Sequence, residues 1–282
     1  MIGEYHMLKE AIHNLRKKKR DKRDYAFFLS HGTNIALKNN INNLPRPEKL
    51  VLRILCTSDS MRQQLESLGS DADYMVVNSF VLDEAYKKVC PKYYVIADPN
   101  FFSVLHEVVD KIYKDTTWPM VLFVPQKNAS QYEVFGSENI RVLPVNTSPY
   151  VGPTQYRDIC YDHNLAAPPI YNVLNMALYI AIYLGYKQIE LYGVEHSWTK
   201  FITVGEENKV YRYDSHFYDK EKAEQIVYQR EVDGSYPKLH EILEEYASLF
   251  KTYWELRELA ERRGCRIINC TKGSFIDAFD RK

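Results

Sequence analysis

Between residues 50 and 192, short apolar runs alternate with stretches of helical spacing, and that alternation leaves few folds open. The runs are Leu50–Leu55, Tyr74–Val77, Tyr93–Ala97, Met120–Val124, Ile140–Leu143 and Gln188–Tyr192, with a later one at Cys265–Asn269. Each has strand length and is nearly continuously apolar, as strands buried on both faces are. A mainly parallel sheet with helices on both faces is therefore expected, an α/β fold. Thr57-Ser58-Asp59-Ser60 opens one helix, with Ser60 and Gln63 at capping-box spacing and Gly69 as a stop. Asp83–Lys88 and Phe101–Tyr113 read as further helices. Ile170–Leu184 is apolar nearly all round, so it reads as a buried helix ended by Gly185. Pro237–Arg263 carries one apolar stripe and stops at Gly264, and Ser274–Phe279 reads as a short terminal helix. Residues 144–169 lack periodicity and form a loop long enough to suspect a function.

The chain has 282 residues, room for one or two domains. Lysine plus arginine equals aspartate plus glutamate at 37 each, so no global charge draws it to nucleic acid. The five cysteines are odd in number and none forms a C-x-x-C pair, which indicates neither a disulfide framework nor a zinc knuckle. No signal-peptide pattern and no bilayer-length apolar run is seen, so a reducing cytoplasm is expected. Residues 1–24 read as a helix ending in a basic run from Arg16 to Arg23, broken only by Asp21. The run is a solvated helix face or, less favoured, an anchor to anionic lipid of an inner membrane. Pro45 and Pro47 mark a linker, which divides the chain into an N-terminal helical extension, 1–49, and a main domain, 50–282.

In open α/β sheets, ligands sit beyond the carboxyl ends of the strands. Thr57, Ser58, Asp59 and Ser60 make a hydroxyl-rich turn that either holds phosphate or simply caps a helix. Asn78 follows a strand and either bonds a ribose or base or ends a turn. In Asp98-Pro99-Asn100, Asp98 suits a sugar hydroxyl, a metal if the chemistry were phosphoryl transfer, or a helix cap. In Gly193-Val194-Glu195-His196, Gly193 permits close approach and Glu195 suits ribose hydroxyls. Four such ends in series favour a nucleotide-type ligand. Asp71-Ala72-Asp73 spells D-x-D but precedes a strand, at the wrong edge of the sheet, and reads as surface. No carboxylate stands at tight ligand spacing to His196 or His216, so no metal site is expected. Residues 196–220 are charged and without helical pattern, a candidate flap. His216, at the centre of Asp214-Ser215-His216-Phe217-Tyr218, is its candidate for proton transfer, although lone histidines are more often structural.

Leu184-Gly185-Tyr186-Lys187-Gln188-Ile189-Glu190-Leu191-Tyr192-Gly193-Val194-Glu195 resembles a run in the metal-independent bacterial sialyltransferases that decorate lipooligosaccharide, and in related capsule and O-antigen glycosyltransferases. Val77-Asn78-Ser79-Phe80, Asp98-Pro99-Asn100-Phe101-Phe102, the flap histidine and Ile267–Ile276 follow in similar order, so the resemblance covers roughly residues 50–280. It implies a Rossmann-like sheet (a GT-A-like variant) and an inverting transfer from a nucleotide-sugar donor, CMP-linked in the sialyl case. No further cofactor is implied. The acceptor is a glycan or lipid-linked glycan. By resemblance His216 is the general base, Asn78 and Asp98 contact the donor, and Glu195 lies near the ribose. Thr57, Ser58, Asp59, Ser60, Asn100, Gly193 and His196 complete the donor-binding candidates, and Lys200, Tyr211, Arg212 and Tyr213, with His196, are candidates for the leaving phosphate. The chain departs from the family at Thr57–Ser60, where the family has an N-G-P-S turn. It also departs at Asp98, where the family tends to asparagine, and at Pro168–Asn172, where the family has a Thr-Ser-Gly turn. Two other readings stand beside this one: a pterin-type pyrophosphokinase using magnesium and ATP with Asp98 as a metal ligand, and a non-catalytic sugar-binding assembly protein.

Overall fold

The computed structural model describes residues 44–282, except 99, 104, 134, 153, 163, 164, 215–223 and 231–233. The helix and basic run expected over residues 1–24 thus lie outside the described residues, as does His216. In chain order the elements begin β1 (Val51–Leu55), α1 (Asp59–Leu65), β2 (Asp73–Val77), α2 (Ala85–Val89) and β3 (Tyr93–Val95). Next come α3 (Asn100–Ser103), α4 (His106–Asp115), β4 (Met120–Pro125), α5 (Ala129–Glu133) and β5 (Ile140–Val145). Then follow α6 (Thr154–Asp162), α7 (Val173–Leu184), β6 (Gln188–Tyr192), β7 (Thr203–Val204), β8 (Val210–Asp214) and β9 (Glu224–Val227). The chain closes with α8 (Leu239–Arg262), β10 (Arg266–Asn269) and β11 (Asp280–Arg281).

The 8-stranded sheet has the order β11-β10-β6-β1-β2-β3-β4-β5, and each neighbouring pair is parallel. Side chains alternate across it. Leu52 and Ile54 pack into a layer with α7 and α8, built on Leu178, Ile182, Tyr253 and Leu256. Leu55 and Val76 face the other layer, with Met61 of α1 and Val109 and Ile112 of α4. Both faces are dry, which explains the unbroken apolar runs. The architecture is the expected α/β, Rossmann-like sheet with helices on both faces. From β1 the chain builds outward through β2 to β5, then returns to lay β6, β10 and β11 on the other side of β1. The gap between β1 and β6 is the topological switch point.

Where polar groups enter the sheet they are paired. Arg53 of β1 stands in register with Glu190 of β6, and its Nε donates to the Glu190 carboxylate at 3.0 Å. Tyr192 Oη donates to the same carboxylate at 3.0 Å. Burial works to raise the Glu190 pKa, but the bonds from Arg53 and Tyr192 outweigh it and hold it low. The Arg53 guanidinium also binds Asp71 at 2.9 and 3.0 Å, while Asp73 at the start of β2 receives Lys92 at 2.8 Å and Tyr186 at 2.5 Å. The D-x-D segment therefore belongs to an ion-pair network at the amino edge of the sheet, in keeping with its place before a strand.

Several elements differ from expectation. The cap of α1 is Ser58, whose Oγ accepts from Met61 N at 3.2 Å, not Ser60; the helix ends at Leu65, before Gly69. Ser60 is drawn away by Glu195. The buried helix starts at Val173 because Asn172 caps it: its side chain accepts from Asn175 N, and the Asn175 side chain answers to Asn172 N. The stretch 144–169 contains α6, whose Tyr161 packs edge-on against Tyr150 and Tyr179 and donates to Glu255 at 2.5 Å. Ser274–Phe279 is not helical. Asn269 holds it as a loop, donating to Ser274 Oγ at 2.9 Å and accepting from Thr271 N at 3.0 Å, and such local bonds compete with a helix. The flap region is in part a 3-stranded antiparallel sheet, β7-β8-β9, reaching Val227.

Candidate functional site

A cleft of about 1180 Å³ opens at the carboxyl ends of β1 to β6, and each of these strands contributes to it. Cys56–Ser60 come from β1, Val77–Ser79 from β2, and Ala97 and Asp98 from β3. Pro125 and Lys127 come from β4, Thr147 from β5, and Gly193 and Glu195–Ser197 from β6. At the switch point the β1 and β6 loops touch. Cys56 N donates to Tyr192 O at 2.9 Å. Gly193 has φ +75°, and a Cβ there would overlap the Cys56 carbonyl oxygen and stand 2.8 Å from Ser58 Oγ. Ser60 Oγ donates to Glu195 across the gap. The closing loop supports this crossing from behind: Val194 N donates to Thr271 Oγ1 at 3.1 Å, Ser274 Oγ to Val194 O at 2.5 Å, and Phe275 N to Glu195 O at 2.8 Å.

Thr57, Ser58, Asp59, Ser60, Asn78, Asp98, Gly193, Glu195 and His196 all line the cleft. Asn78 has φ +49°, a left-handed conformation that asparagine tolerates better than most residues. Tyr94 Oη fixes it by donating to its backbone carbonyl at 2.5 Å, and its side-chain Oδ1 is buried with no partner among the described residues. Asp98 Oδ1 accepts from Asn100 N at 2.8 Å, so one carboxylate oxygen caps α3. Lys127 is the sole lysine or arginine in the lining among the described residues. Burial, aided by the nearby Glu195 charge, pushes the Cys56 thiol up to about 12, so it stays protonated and is no nucleophile at neutral pH.

His196 is the most constrained side chain of the site. Its backbone lies in the left-handed region at φ +47°, and its ring packs on Trp198 with centroids 4.3 Å apart. Nδ1 stands 3.0 Å from Tyr253 Oη, and that hydroxyl lies 2.9 Å from the Asn172 amide nitrogen. Burial pushes the imidazole down to about 3 and the Tyr253 phenol well above its usual value.

The structure does not bring every candidate into the cleft. Asn100 opens α3 but is not in the lining. Lys200 Nζ sits 4.7 Å over the Phe275 ring, Tyr211 donates to Glu207, and Arg212 lies over Tyr228. None of these three lines the cleft. The Tyr213 side chain and His216 lie outside the described residues. Sequence reasoning missed Lys127 and Thr147, and named Tyr171 and Asn172 only as a departure from the family's turn and Trp198 only within the flap; all five line the cleft. Lys127 and Thr147 follow β4 and β5, and the strand-end rule finds them once it is applied to every strand. Among the described residues, no three His, Cys, Asp or Glu side chains converge as metal ligands, and no helix is long and apolar enough to cross a membrane.

Fold and cleft together define a doubly wound α/β protein with a polar crevice at its switch point. No protein-family model matches the chain, and no curated protein matches it. Among solved structures it is similar to the sialyltransferase CstII from Campylobacter jejuni. The complex with the substrate analogue cytidine-5'-monophosphate is 12% identical at a TM-score of 0.45, covering 83% of this chain and 86% of that one. The complex with a trisaccharide acceptor and CMP is 13% identical at a TM-score of 0.43, covering 81% and 84%.

Proposed function

We propose that the protein is a glycosyltransferase that moves a sugar from a nucleotide-sugar donor to a glycan acceptor in bacterial surface polysaccharide synthesis. The observation that carries this reading is the cleft at the switch point, lined at successive strand ends by hydroxyl, amide and carboxylate groups. Ribose and sugar hydroxyls both donate and accept, and such a lining answers both. The orphan Asn78 Oδ1 suits an N–H or O–H of a ligand. Lys127 as the single cation of the described lining favours a donor with one phosphate, CMP-linked, over one with two. The resemblance of residues 184–195 to bacterial sialyltransferases supports the same donor and setting, with sialic acid or a related acid sugar as the group moved.

The reaction is an inverting single displacement without metal. The acceptor oxygen bonds to the anomeric carbon as the bond from that carbon to the phosphate oxygen breaks. The electron pair stays on the phosphate, and the acceptor proton passes to a base, assigned to His216 by resemblance. A thermal-shift screen of the full chain with CMP-, UDP-, GDP- and dTDP-sugars, with and without EDTA, tests the donor. Stabilisation by a CMP-sugar that survives EDTA is expected, about 2.7 kcal/mol at a hundredfold excess over Kd. In a transfer assay, His216→Ala should lose roughly a hundredfold in kcat while still binding the donor. Stabilisation by ATP with magnesium, and by no nucleotide sugar, would instead favour the pyrophosphokinase; silence with every nucleotide would favour the binding protein.

A further inference from the structure

Three side chains far apart in sequence are joined at the cleft wall, where Asn172 and His196 line the space and Tyr253 stands behind them. Asn172 caps α7 with its Oδ1, which accepts from Asn175 N at 3.0 Å. That bond fixes the carboxamide, so its nitrogen is the end facing Tyr253 Oη at 2.9 Å, and it donates there. With its oxygen engaged as acceptor, the Tyr253 hydroxyl turns its proton to the remaining neighbour, His196 Nδ1, at 3.0 Å. A nitrogen that accepts carries no proton. His196 is thereby the Nε2–H tautomer. Nε2 has no hydrogen-bond partner among the described residues, yet it is not among the buried unpartnered atoms, and the residue lines the cleft. The free N–H is thus accessible, on a residue that lines the ligand space. The left-handed backbone at His196 and the ring stack on Trp198 hold this orientation at a conformational cost, as functional positions do.

We infer that Tyr253 and Asn172 lock His196 as a neutral imidazole whose Nε2–H donates a hydrogen bond to the departing phosphate oxygen of the donor. The inference rests on the glycosyltransferase reading for the identity of that oxygen. His196 keeps its proton throughout. The bond from anomeric carbon to oxygen breaks, the pair settles on the phosphate, and the N–H···O hydrogen bond shortens as charge grows on that oxygen, with the proton kept on Nε2. The low basicity of the buried ring suits a donor and disqualifies it as the base. The same wall carries the N-terminus of α7, whose first N–H groups lie beside Asn172 without intrahelical partners. His196 is the catalytic residue of the set; Tyr253 and Asn172 are positioning residues.

The test is nitrogen NMR of the full chain with 15N-labelled histidine. In the free protein His196 should show the neutral Nε2–H tautomer from pH 7.5 down to pH 4.5. Tyr253→Phe should let both tautomers appear while the ring stays neutral over this range, because the burial that holds its pKa down remains. An imidazolium or an Nδ1–H tautomer in the wild type overturns the lock. Adding CMP should shift the His196 Nε2 resonance. In the transfer assay His196→Ala should lose about a hundredfold in kcat with KM little changed. His196→Gln, whose amide can set an N–H near the same place, should recover most of that loss. CMP that binds and leaves Nε2 unmoved, or wild-type turnover in His196→Ala, overturns the phosphate contact. Failure of every nucleotide to bind overturns the glycosyltransferase reading and the phosphate contact with it. That outcome is separable from failure of the lock, which is read on the free protein.

Discussion

Gly193 is where β6 gives way to the cleft, and no other residue fits. Its φ of +75° costs an L side chain roughly 1–2 kcal/mol, and its missing Cβ leaves room for the Cys56 carbonyl and Ser58 Oγ. Backbone cannot step aside as a flexible side chain does. Gly193→Ala should therefore lower unfolding free energy by roughly 3 kcal/mol or more in urea titration and should abolish any nucleotide thermal shift. A variant with wild-type stability and ligand response would show that the β1 and β6 loops need not touch. The residues at strand ends were legible because a parallel sheet fixes which end binds ligands, and Asn78, Asp98, Gly193 and Glu195 all follow apolar runs. Tyr253 was not legible as a partner of the site. In sequence it is one more member of the apolar stripe on α8, and the two groups it joins stand 57 and 81 residues away. No local pattern encodes such a bond.

At the scale of elements, capping separates what the sequence announces from what tertiary contacts decide. Helix α7 is apolar nearly all round and announces itself, but its start is set by one asparagine. Asn172→Ala removes the cap and the bond to Tyr253, and should cost roughly 1–2 kcal/mol in thermal or urea unfolding. Asn172→Ser keeps an N-cap oxygen without the amide donor, so it should recover most of the stability while leaving the Tyr253 hydroxyl unanchored. If Ser is no better than Ala, the cap is not what Asn172 contributes. Helix α6 escaped a reading by pattern because Cys160 and Tyr161 are its fully buried described positions, too few to draw a stripe. The loop after β10 misled in the opposite sense. Ser274–Phe279 reads as a short helix, yet Asn269 and the backbone of Val194 and Glu195 claim the polar groups of Ser274 and Phe275.

At the scale of the whole molecule, the doubly wound topology could be read from alternation alone, but the side of β1 on which β6 lies could not. That choice creates the switch point, and with it the buried pairing of Arg53 with Glu190 and the enclosure of His196. Both features make the fold acid-sensitive, in separate windows. His196 titrates near 6.5 when unfolded and near 3 when folded. Between those values the unfolded chain binds the extra proton, so stability is fully present above about pH 6.5 and is lost as pH falls toward 3. Glu190 and Asp73 are also held below their ordinary values of 4.5 and 3.8. Burial opposes that shift, and their bonds to Arg53 and Tyr192, and to Lys92 and Tyr186, outweigh it. Their contribution is present above those ordinary values and is lost only as pH falls below them. Unfolding free energy measured by urea titration should thus begin to fall near pH 6.5, by at most about 1.4 kcal/mol per pH unit for the one histidine proton. In His196→Gln the decline between pH 6.5 and 4.5 should flatten, while the steeper loss below 4.5 remains. An unchanged upper window in that variant would mean that the imidazole titrates alike in the folded and unfolded chain, and that the cleft wall does not hold it neutral.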